Sequence, residues 1–366
     1  MRLALQVQNA HIMPESASQT RRPGRRDAPA SPAKTGRRPV SAVRGHPARA
    51  RPAPTPAARG GTRIQIAGIG ISHPERVLFP DAGATKLDLA RYYEAVARWI
   101  VPHVADRPLT LVRCPTGVRS DAAKQSADCF YMKHSKVWAP AALRRVRIQE
   151  KTKLGEYLIA DSVAAIVGLV QMDVLEVHTW NACFSDVERP NRVVVDLDPG
   201  ERVAWRVVVG AARLVRDLLG AIHLESFVKT TGGRGLHIVV PLQASAGWDE
   251  CLEFARALAA LLVRHQPALF TDRFAKSGRS NKILVDYLRN NRTNTSIAAY
   301  STRARSDAPV SAPLSWPELT EAREPGRFTM ATMPGRLAKL KADPWKAYWS
   351  VKQRLSPATI RALERM

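Results

Sequence analysis

The sequence predicts a mixed α/β (α+β) fold, because segments with strand and helix patterns alternate along most of the chain. The chain has 366 residues, of which 45% are hydrophobic, so it is long enough to bury a substantial core. Residues 1–63 depart from this pattern. They are rich in Pro, Ala, Gly and Arg and show neither a helical nor a strand period, so we expect a disordered tail ahead of one folded region at 64–366.

The charge of the chain favours a polyanionic partner. Lys and Arg total 56 against 32 Asp and Glu, which gives a net charge of +24. The tail, with thirteen basic and two acidic residues, carries +11 of this, and the remainder carries +13. The basic character of the folded region therefore does not depend on the tail, and nucleic acid is the usual partner of such a surface. The tail is either a linker or an arm that contacts phosphates, and both interpretations stay open.

Membrane insertion and metal-binding cysteine motifs are not expected. The apolar segments are too short to span a bilayer, and the N-terminus lacks the continuous apolar stretch of a secretory signal. The four cysteines are widely spaced and form no CxxC pair, so they predict neither a zinc site nor a disulfide framework. They are Cys114, Cys129, Cys183 and Cys251. A reducing, cytoplasmic compartment is the corresponding expectation.

The first half of the folded region begins near Ile64 with a turn and short apolar segments. An amphipathic helix is predicted from about Lys86, because apolar side chains recur there at helical spacing. This stripe consists of Leu89, Tyr92, Tyr93, Val96 and Ile100. Residues 107–118 are predicted to form a strand and a turn. Residues 154–180 are predicted to form a helix followed by a strand that ends at His178.

The second half continues the alternation. Residues 192–198 are predicted to form a buried strand, and residues 205–219 a helix. The segment 226–242 holds a glycine-rich turn between two apolar stretches. A second helix is predicted at 250–265, and a further strand at 282–288. No internal repeat is present.

Three carboxylates follow apolar strand segments. In a strand, residues i and i+2 share a face, so Asp196 and Asp198 project together while Leu197 points into the core. Two like charges at this spacing raise each other's pKa, and a divalent cation removes the conflict. An Asp-x-Asp pair alone also fits a solvated strand end. Asp286, delivered by the strand at 282–288, strengthens the metal interpretation, since three carboxylates can hold two Mg²⁺ or Mn²⁺ ions.

The glycine-rich turn "KTTGGRGLH" predicts a site where backbone N–H groups face an anion. Its three glycines permit close approach and positive φ, and it is not a P-loop, because GxxxxGK[ST] is absent. The candidate side chains of this turn and its borders are Lys229, Thr231, Arg234 and His237. A plain hairpin turn is the alternative.

Several further polar residues flank these segments. His178 ends a predicted strand, where a lone histidine is more often structural. Arg279, Lys282 and Arg303 surround the third carboxylate and fit either a solvated face or a triphosphate site, since arginine binds phosphate oxygens in bidentate fashion.

Taken in order, these segments resemble the polymerase domain of bacterial ligase D, the primase-like module of non-homologous end joining in the archaeo-eukaryotic primase superfamily. The resemblance runs from about Ile69 to Glu364. It is carried by "HPERVLFP", "CFYMKH", "LEVHTWN", "VVVDLDPG", "KTTGGRGLH" and "RSNKILVDYLRNNRTNTSIAAYSTRAR", followed by "APLSWPEL". It implies a primase-polymerase core with a central mixed or antiparallel sheet flanked by helices. The implied parts are a DNA-contacting part at 64–175, a catalytic core at 176–310 and a C-terminal helical segment at 311–366.

The resemblance also implies the roles of individual residues. Asp196, Asp198 and Asp286 would be the catalytic and metal-binding residues. The implied nucleotide-binding residues are His178, Thr231, Arg234, His237, Arg279 and Arg303, where Thr231 and Arg234 stand in place of the family's usual Ser and Lys. The implied DNA-binding residues are Arg76 and Lys86 for a 5′-phosphate, Phe130 and Tyr131 for base stacking, and Lys133. From the residues alone, core aromatics and a surface lysine at a helix start are the alternatives.

The function implied is a nucleotidyltransferase that adds ribo- or deoxyribonucleotides to a primer 3′-hydroxyl at DNA ends and gaps, by two-metal phosphoryl transfer. Its cofactors would be Mn²⁺ or Mg²⁺ and its substrates NTPs or dNTPs. The implied partners are 5′-phosphorylated DNA, a Ku homodimer and a separate ATP-dependent DNA ligase, in a nucleoid-associated setting. No KxDG ligase motif and no histidine-rich nuclease module is recognisable in this sequence. The alternatives are a non-catalytic module that binds and bridges DNA ends, and a dedicated replication primase.

Overall fold

A computed structural model describes residues 64–120, 129–136, 138–275, 277–321 and 324–366. The predicted tail, 1–63, lies outside these residues. Within them the helices are α1 (Lys86–Ala95), α2 (Ala97–Val104), α3 (Val163–Gln171), α4 (Trp205–Ala221), α5 (Trp248–His265), α6 (Met333–Lys339) and α7 (Pro357–Arg365). The strands are β1 (Ile64–Ile66), β2 (Ile69–Ile71), β3 (Val77–Phe79), β4 (Ala84–Thr85), β5 (Leu109–Arg113), β6 (Phe130–Met132), β7 (Arg144–Gln149), β8 (Leu154–Ile159), β9 (Val174–Thr179), β10 (Arg192–Pro199), β11 (Phe227–Thr230), β12 (Leu236–Pro241), β13 (Phe270–Thr271), β14 (Ile283–Asp286), β15 (Ser296–Ile297) and β16 (Pro313–Leu314).

The central sheet has six strands in the order β13-β14-β10-β12-β11-β16. Its neighbours pair antiparallel except β13 and β14, which are parallel. Helices α4 and α5 both contact β10, which lies near the middle of the sheet. All but one of the β10 residues are buried, as its continuous apolar sequence predicts. The mixed α/β fold class with a central mixed sheet is therefore confirmed.

A second sheet has the order β15-β9-β5-β6, with every neighbouring pair antiparallel. Helix α3, which leads into β9, packs against both β9 and α1. This sheet carries His178 on β9 and the aromatic pair Phe130–Tyr131 on β6. Three two-stranded sheets, β1-β2, β3-β4 and β7-β8, complete the sheet structure of the described residues.

The predicted helix from Lys86 is interrupted at one residue of its apolar stripe. Thr85 caps α1, because its hydroxyl accepts a hydrogen bond from the Asp88 N–H while the Asp88 carboxylate accepts one from the Thr85 N–H. The backbone leaves the helical conformation at Val96, with φ −98° and ψ 6°, and α2 starts at the next residue. The whole stripe is nevertheless buried, as the periodicity predicts.

The strand predicted at 282–288 ends earlier, at Asp286. The following residues, Tyr287–Asn290, form a 3₁₀ turn, and the Asp286 carboxylate accepts a hydrogen bond from the Leu288 N–H at 3.0 Å. Asp286 therefore lies at the point where the chain leaves the sheet.

The prediction that the cysteines form no disulfide is wrong for one pair. Cys114 directly follows β5 and Cys129 directly precedes β6, and these strands pair with Arg113 opposite Phe130. This pairing brings the two Cα atoms to 4.3 Å, and the structure joins the sulfur atoms in a disulfide. The 15-residue separation in sequence concealed a direct cross-strand contact. Cys183 and Cys251 are free thiols.

In the part of the chain that the structure describes, no helix has both the length and the apolar character needed to cross a bilayer.

Candidate active site

The candidate site is built on a row of polar residues that crosses the central sheet. Asp196 on β10 lies directly opposite Asp286 on β14 and, on its other side, opposite His237 on β12. His237 in turn lies opposite Lys229 on β11. Residues directly opposite in antiparallel strands share a face of the sheet. The fold therefore places Asp286, Asp196, His237 and Lys229 side by side on one face.

Arg289 joins the two opposed carboxylates. Its Nε lies 3.2 Å from Oδ2 of Asp196 and 2.9 Å from Oδ2 of Asp286. The Oδ2 atoms of Asp196 and Asp286 are therefore no farther apart than the sum of these two distances. Arg289 reaches them because the 3₁₀ turn after β14 folds the third residue beyond Asp286 back over the strand end. Arg289 was not among the residues predicted from the sequence.

Asp198 completes the trio on the same face of β10, two residues beyond Asp196. Its side chain is 51% exposed, and its Oδ2 lies 3.2 Å from Nη2 of Arg279. The turn at Gly200 holds the Arg279 segment close, since the Gly200 N–H donates to the Lys282 carbonyl oxygen at 2.9 Å. A Cβ at Gly200 would collide with the carbonyl oxygens of Arg279 and Ser280.

The carboxylates differ in their acidity. Burial raises the pKa of Asp196, but the effect of His237, Arg289 and Lys229 is larger and opposite, and the resulting pKa is about 2. Burial raises the pKa of Asp198, and the negative charge of Asp196 adds to the rise. Burial also raises the pKa of Asp286, where Arg289 opposes the rise and Asp196 reinforces it. The like-charge conflict expected from the sequence is thus present, and arginines offset it in part.

The donor chemistry of this site fits a hard divalent cation. Two carboxylates converge on one point and a third shares their face, and such oxygen ligands suit Mg²⁺ and Mn²⁺. In the structure, the Arg289 guanidinium lies where the carboxylates of Asp196 and Asp286 converge. Among the described residues, no three His, Cys, Asp or Glu side chains are arranged to enclose a metal ion.

A second cluster centres on Glu176 of β9. Its Oε2 lies 2.7 Å from Nε2 of His178, and its Oε1 accepts a hydrogen bond from Nε of Arg303 at 2.8 Å. Burial raises the pKa of Glu176, but Arg303 and His178 lower it more, to about 2. Burial lowers the pKa of His178, which favours the neutral ring at pH 7. Glu176 was missed in the sequence, although it precedes His178 by two residues and so shares its face of the strand.

The glycine-rich turn between β11 and β12 is tied to this cluster. Arg303 donates from Nη1 to the Thr231 carbonyl oxygen at 2.8 Å. The Thr231 hydroxyl accepts a hydrogen bond from the Gly233 N–H at 3.2 Å, which closes the turn. Gly232 has φ +71°, and a Cβ there would lie 2.6 Å from Cγ of Arg303, so a side chain is excluded. The fold thus brings Thr231, Arg303 and His178 into one connected cluster.

Arg234 is placed differently from the other nucleotide-binding candidates. Its guanidinium donates from Nη2 to the Val203 carbonyl oxygen at 3.1 Å. It borders a cavity of about 380 Å³ whose wall also includes Glu201, Arg202 and Trp205. Arg234 therefore contacts the start of the α4 region and not the carboxylates.

Three cations converge on Asp173 at the candidate 5′-phosphate site. Lys86 Nζ lies 2.6 Å and Arg76 Nη1 3.3 Å from Oδ1, while Arg113 Nη2 lies 3.9 Å from Oδ2. Burial lowers the pKa of Lys86, whose side chain is only 1% exposed. Lys86 is therefore not a surface charge, and Arg113 is a member of the cluster that the sequence did not reveal. One carboxylate among three cations leaves an excess of positive charge.

The aromatic candidates lie on the surface of β6. Phe130 is 47% exposed and Tyr131 is 69% exposed, so neither is a core residue. The Tyr131 ring lies 6.1 Å from the His178 ring, which joins β6 to the Glu176 cluster. Lys133 lies two residues beyond Tyr131 and is also exposed. Asn294 donates from Nδ2 to the Leu288 carbonyl oxygen at 2.7 Å.

The comparison with known families decides the relationship. The family described as "LigD, primase-polymerase domain" matches residues 85–345. The chain belongs to this family. The resemblance drawn from the motifs is therefore confirmed, and so is the predicted class of enzyme, a polymerase-type nucleotidyltransferase.

Relatives named LigD agree with this assignment. The chain is 38% identical over 313 residues to "Multifunctional non-homologous end joining protein LigD" of Pseudomonas aeruginosa. The aligned region covers 84% of this chain and 36% of that protein. It is 35% identical over 263 residues to the LigD of Mycobacterium tuberculosis H37Rv, and this region covers 69% of this chain and 34% of that protein. The chain thus spans about a third of the length of these relatives.

A solved structure shows the same fold. The "Polymerase Domain from Mycobacterium tuberculosis Ligase D in complex with DNA" superposes with a TM-score of 0.69 and 31% identity. The match covers 77% of this chain and 99% of that domain.

Proposed function

We propose that this chain adds ribo- or deoxyribonucleotides to a primer 3′-hydroxyl at DNA ends and gaps during non-homologous end joining. The observation that carries the proposal is the strand register that sets Asp286 opposite Asp196, with Asp198 on the same face. The trio carries a like-charge conflict that a divalent cation would relieve, because burial and the negative charge of Asp196 raise the pKa of both Asp198 and Asp286.

Asp196, Asp198 and Asp286 are the residues that would hold Mn²⁺ or Mg²⁺. When bound, such ions activate the attacking hydroxyl and neutralise charge on the pyrophosphate leaving group. The chain's own part is to keep the carboxylates ionised, which Arg289 supports in the structure by contacting Asp196 and Asp286. With the carboxylates engaged elsewhere, Arg289 would leave this contact and offer its guanidinium to a phosphate oxygen.

The remaining nucleotide contacts come from the Glu176 cluster and the glycine-rich turn. Glu176 fixes His178 and Arg303, and Arg303 is hydrogen-bonded to Thr231 in the turn. We assign His178, Thr231, Arg303, His237 and Arg279 to the incoming NTP or dNTP. Arg234 would have to leave the Val203 carbonyl to join them.

DNA contacts are assigned to the second sheet and its helices. The excess positive charge around Asp173 suits a 5′-phosphate, with Arg76 and Lys86 as the expected donors. The exposed rings of Phe130 and Tyr131 suit unpaired template bases, beside Lys133. The chain would act at the bacterial nucleoid with a Ku homodimer and a separate ATP-dependent DNA ligase.

The deciding experiment is extension of a gapped duplex by the full chain, with NTPs or dNTPs and with Mn²⁺ or Mg²⁺. We expect metal-dependent extension that is faster when the downstream strand carries a 5′-phosphate. The same duplex without that phosphate is the control for the Asp173 cluster. Absence of extension under every condition would contradict the proposal.

The same assay separates the alternatives. A non-catalytic end-binding module would bind the duplex without extending it, but three acidic groups facing phosphates would weaken such binding. A replication primase would start strands on single-stranded template without a primer, so primer-free synthesis tests that alternative.

A further inference from the structure

An aromatic–cation–aromatic stack lies on the surface beside the candidate DNA-binding residues. The Arg113 guanidinium carbon is 4.6 Å from the centroid of the Trp138 ring and 5.4 Å from that of the Phe130 ring. Trp138 is 53% exposed and Phe130 47% exposed, whereas the Arg113 side chain is only 14% exposed. The two rings therefore cover the cation and still offer their own surface to solvent.

The stack continues directly into the cation cluster around Asp173. Arg113 is the last residue of β5, opposite Phe130, and it contacts the Asp173 carboxylate that also holds Lys86. Its Nε donates to the Met172 carbonyl oxygen, which fixes the guanidinium against both rings. Trp138 is thereby held at the edge of the proposed 5′-phosphate site.

The strand that carries Phe130 also reaches the nucleotide site. Tyr131 neighbours Phe130 and contacts the His178 ring. Phe130 and Tyr131 are consecutive residues of β6, so their side chains lie on opposite faces of the strand: Phe130 joins the stack with Arg113 and Trp138, and Tyr131 lies against His178. Exposed flat rings above an excess of positive charge match a ligand that is apolar in its rings and anionic in its backbone, which describes an unpaired stretch of nucleic acid.

We propose that Trp138 is a third stacking position, on which the unpaired template base nearest the downstream 5′-phosphate lies. Tyr131 and Phe130 would serve the unpaired bases closer to the incoming nucleotide. Trp138 would then be a specificity residue that favours gaps of several nucleotides over fully paired ends. The inference rests on the proposed function for the identity of the bound nucleic acid as an unpaired template strand. Its test measures binding and needs no catalysis.

The test compares the affinity of the full chain for three labelled 5′-phosphorylated duplexes by fluorescence anisotropy: a blunt duplex, a one-nucleotide gap and a four-nucleotide gap. Replacing Trp138 with Ala should weaken binding to the wider gap by about 5-fold to about 150-fold, the range expected for loss of one base–aromatic stack. Binding to the blunt duplex should not change. Trp138→Phe should retain most of the affinity, because it keeps a flat ring.

Trp349 is the matched control, because it is also an exposed tryptophan, at 50%, but packs on Tyr348 near the C-terminus. Trp349→Ala should leave all three affinities unchanged. Wild-type affinity of Trp138→Ala for the wider gap would overturn the proposal. Equal weakening for the gap and the blunt duplex would also overturn it, since that result indicates a structural role through Arg113. Failure of the proposed function would show as absent extension with the gap preference intact.

Discussion

Glu176 is the residue that holds the proposed nucleotide cluster together. Its two carboxylate oxygens contact His178 and Arg303 separately, and its side chain is 6% exposed. Its folded pKa of about 2 lies below the ordinary value of 4.5, so the ionised group contributes stability that is present above pH 4.5 and is lost as the pH falls towards 2. At neutral pH its charge therefore both stabilises and orients the site.

Replacing Glu176 with Gln should lower extension while leaving the fold intact. Glutamine keeps the shape but loses the charge that pairs with Arg303, and the side chains that it positions shift, so we expect a fall in kcat/KM on the order of 100-fold. Steady-state extension of a gapped duplex measures the loss. Glu188→Gln is the control, because Glu188 is exposed and pairs with Arg292. Wild-type kcat/KM in Glu176→Gln would contradict the positioning role.

The residues that the sequence missed lie close to residues that it singled out. Glu176 and His178 have the same i, i+2 spacing as Asp196 and Asp198, so the strand period applied to one pair would have found the other. Arg289 depends on the 3₁₀ turn after Asp286, which the apolar pattern does not reveal. Arg113 depends on which strand pairs with β6, and a single sequence carries no direct signal for that pairing.

Two glycines make close backbone contacts with the elements of the candidate site. A Cβ at Gly235 would collide with the Leu197 carbonyl oxygen of β10, and one at Gly200 with the Arg279 carbonyl oxygen. These neighbours are backbone atoms of β10, which carries Asp196 and Asp198, and of the loop that leads into β14, so they cannot move aside without shifting the site.

Alanine at Gly235 or Gly200 should therefore destabilise the protein by about 1–3 kcal/mol or more, the usual cost of overpacking. Gly210 is the matched control, because it lies in α4 and no atom comes within 4 Å of the position that an added Cβ would take. Gly210→Ala should stabilise the fold by about 0.5–1 kcal/mol through its higher helix propensity. Denaturant unfolding measures all three, and a Gly235→Ala variant as stable as wild type would count against the close contact.

The Cys114–Cys129 disulfide joins β5 to β6, the two strands that carry Arg113 and Phe130. Closing a loop of this length stabilises a fold by about 3 kcal/mol in the chain-entropy view. A reductant should therefore lower the Tm of the wild-type protein. The Cys114→Ser/Cys129→Ser variant should melt at the lower temperature with or without reductant. An unchanged wild-type Tm, together with four titratable thiols before reduction, would show that the bond does not form.

At the scale of elements, the apolar periods predicted α4, α5 and β10 to within a few residues. They failed where local backbone geometry decides, as at Val96, where the helix is broken although the apolar stripe continues. They also failed for the cysteine pair, whose contact depends on strand pairing.

For the whole molecule, alternating patterns predicted the class of fold but not the order of its strands. The sequence does not state that β10 lies between β14 and β12, and this order alone assembles the carboxylate row. It also gives no sign that Pro313–Leu314 forms the edge strand β16. The ordered motifs add information that the alternating patterns lack, because through the family resemblance they imply a primase-polymerase core.

The central claim is that three carboxylates from two strands act as one catalytic centre. Its most direct test is extension of a 5′-phosphorylated gapped duplex by Asp196→Ala/Asp198→Ala and by Asp286→Ala, beside Asp217→Ala as control. Asp217 is exposed on α4 and pairs with its neighbour Arg216. We predict that both site variants bind the duplex but do not extend it, while the control extends it like wild type. Extension at the wild-type rate by either site variant would contradict the claim.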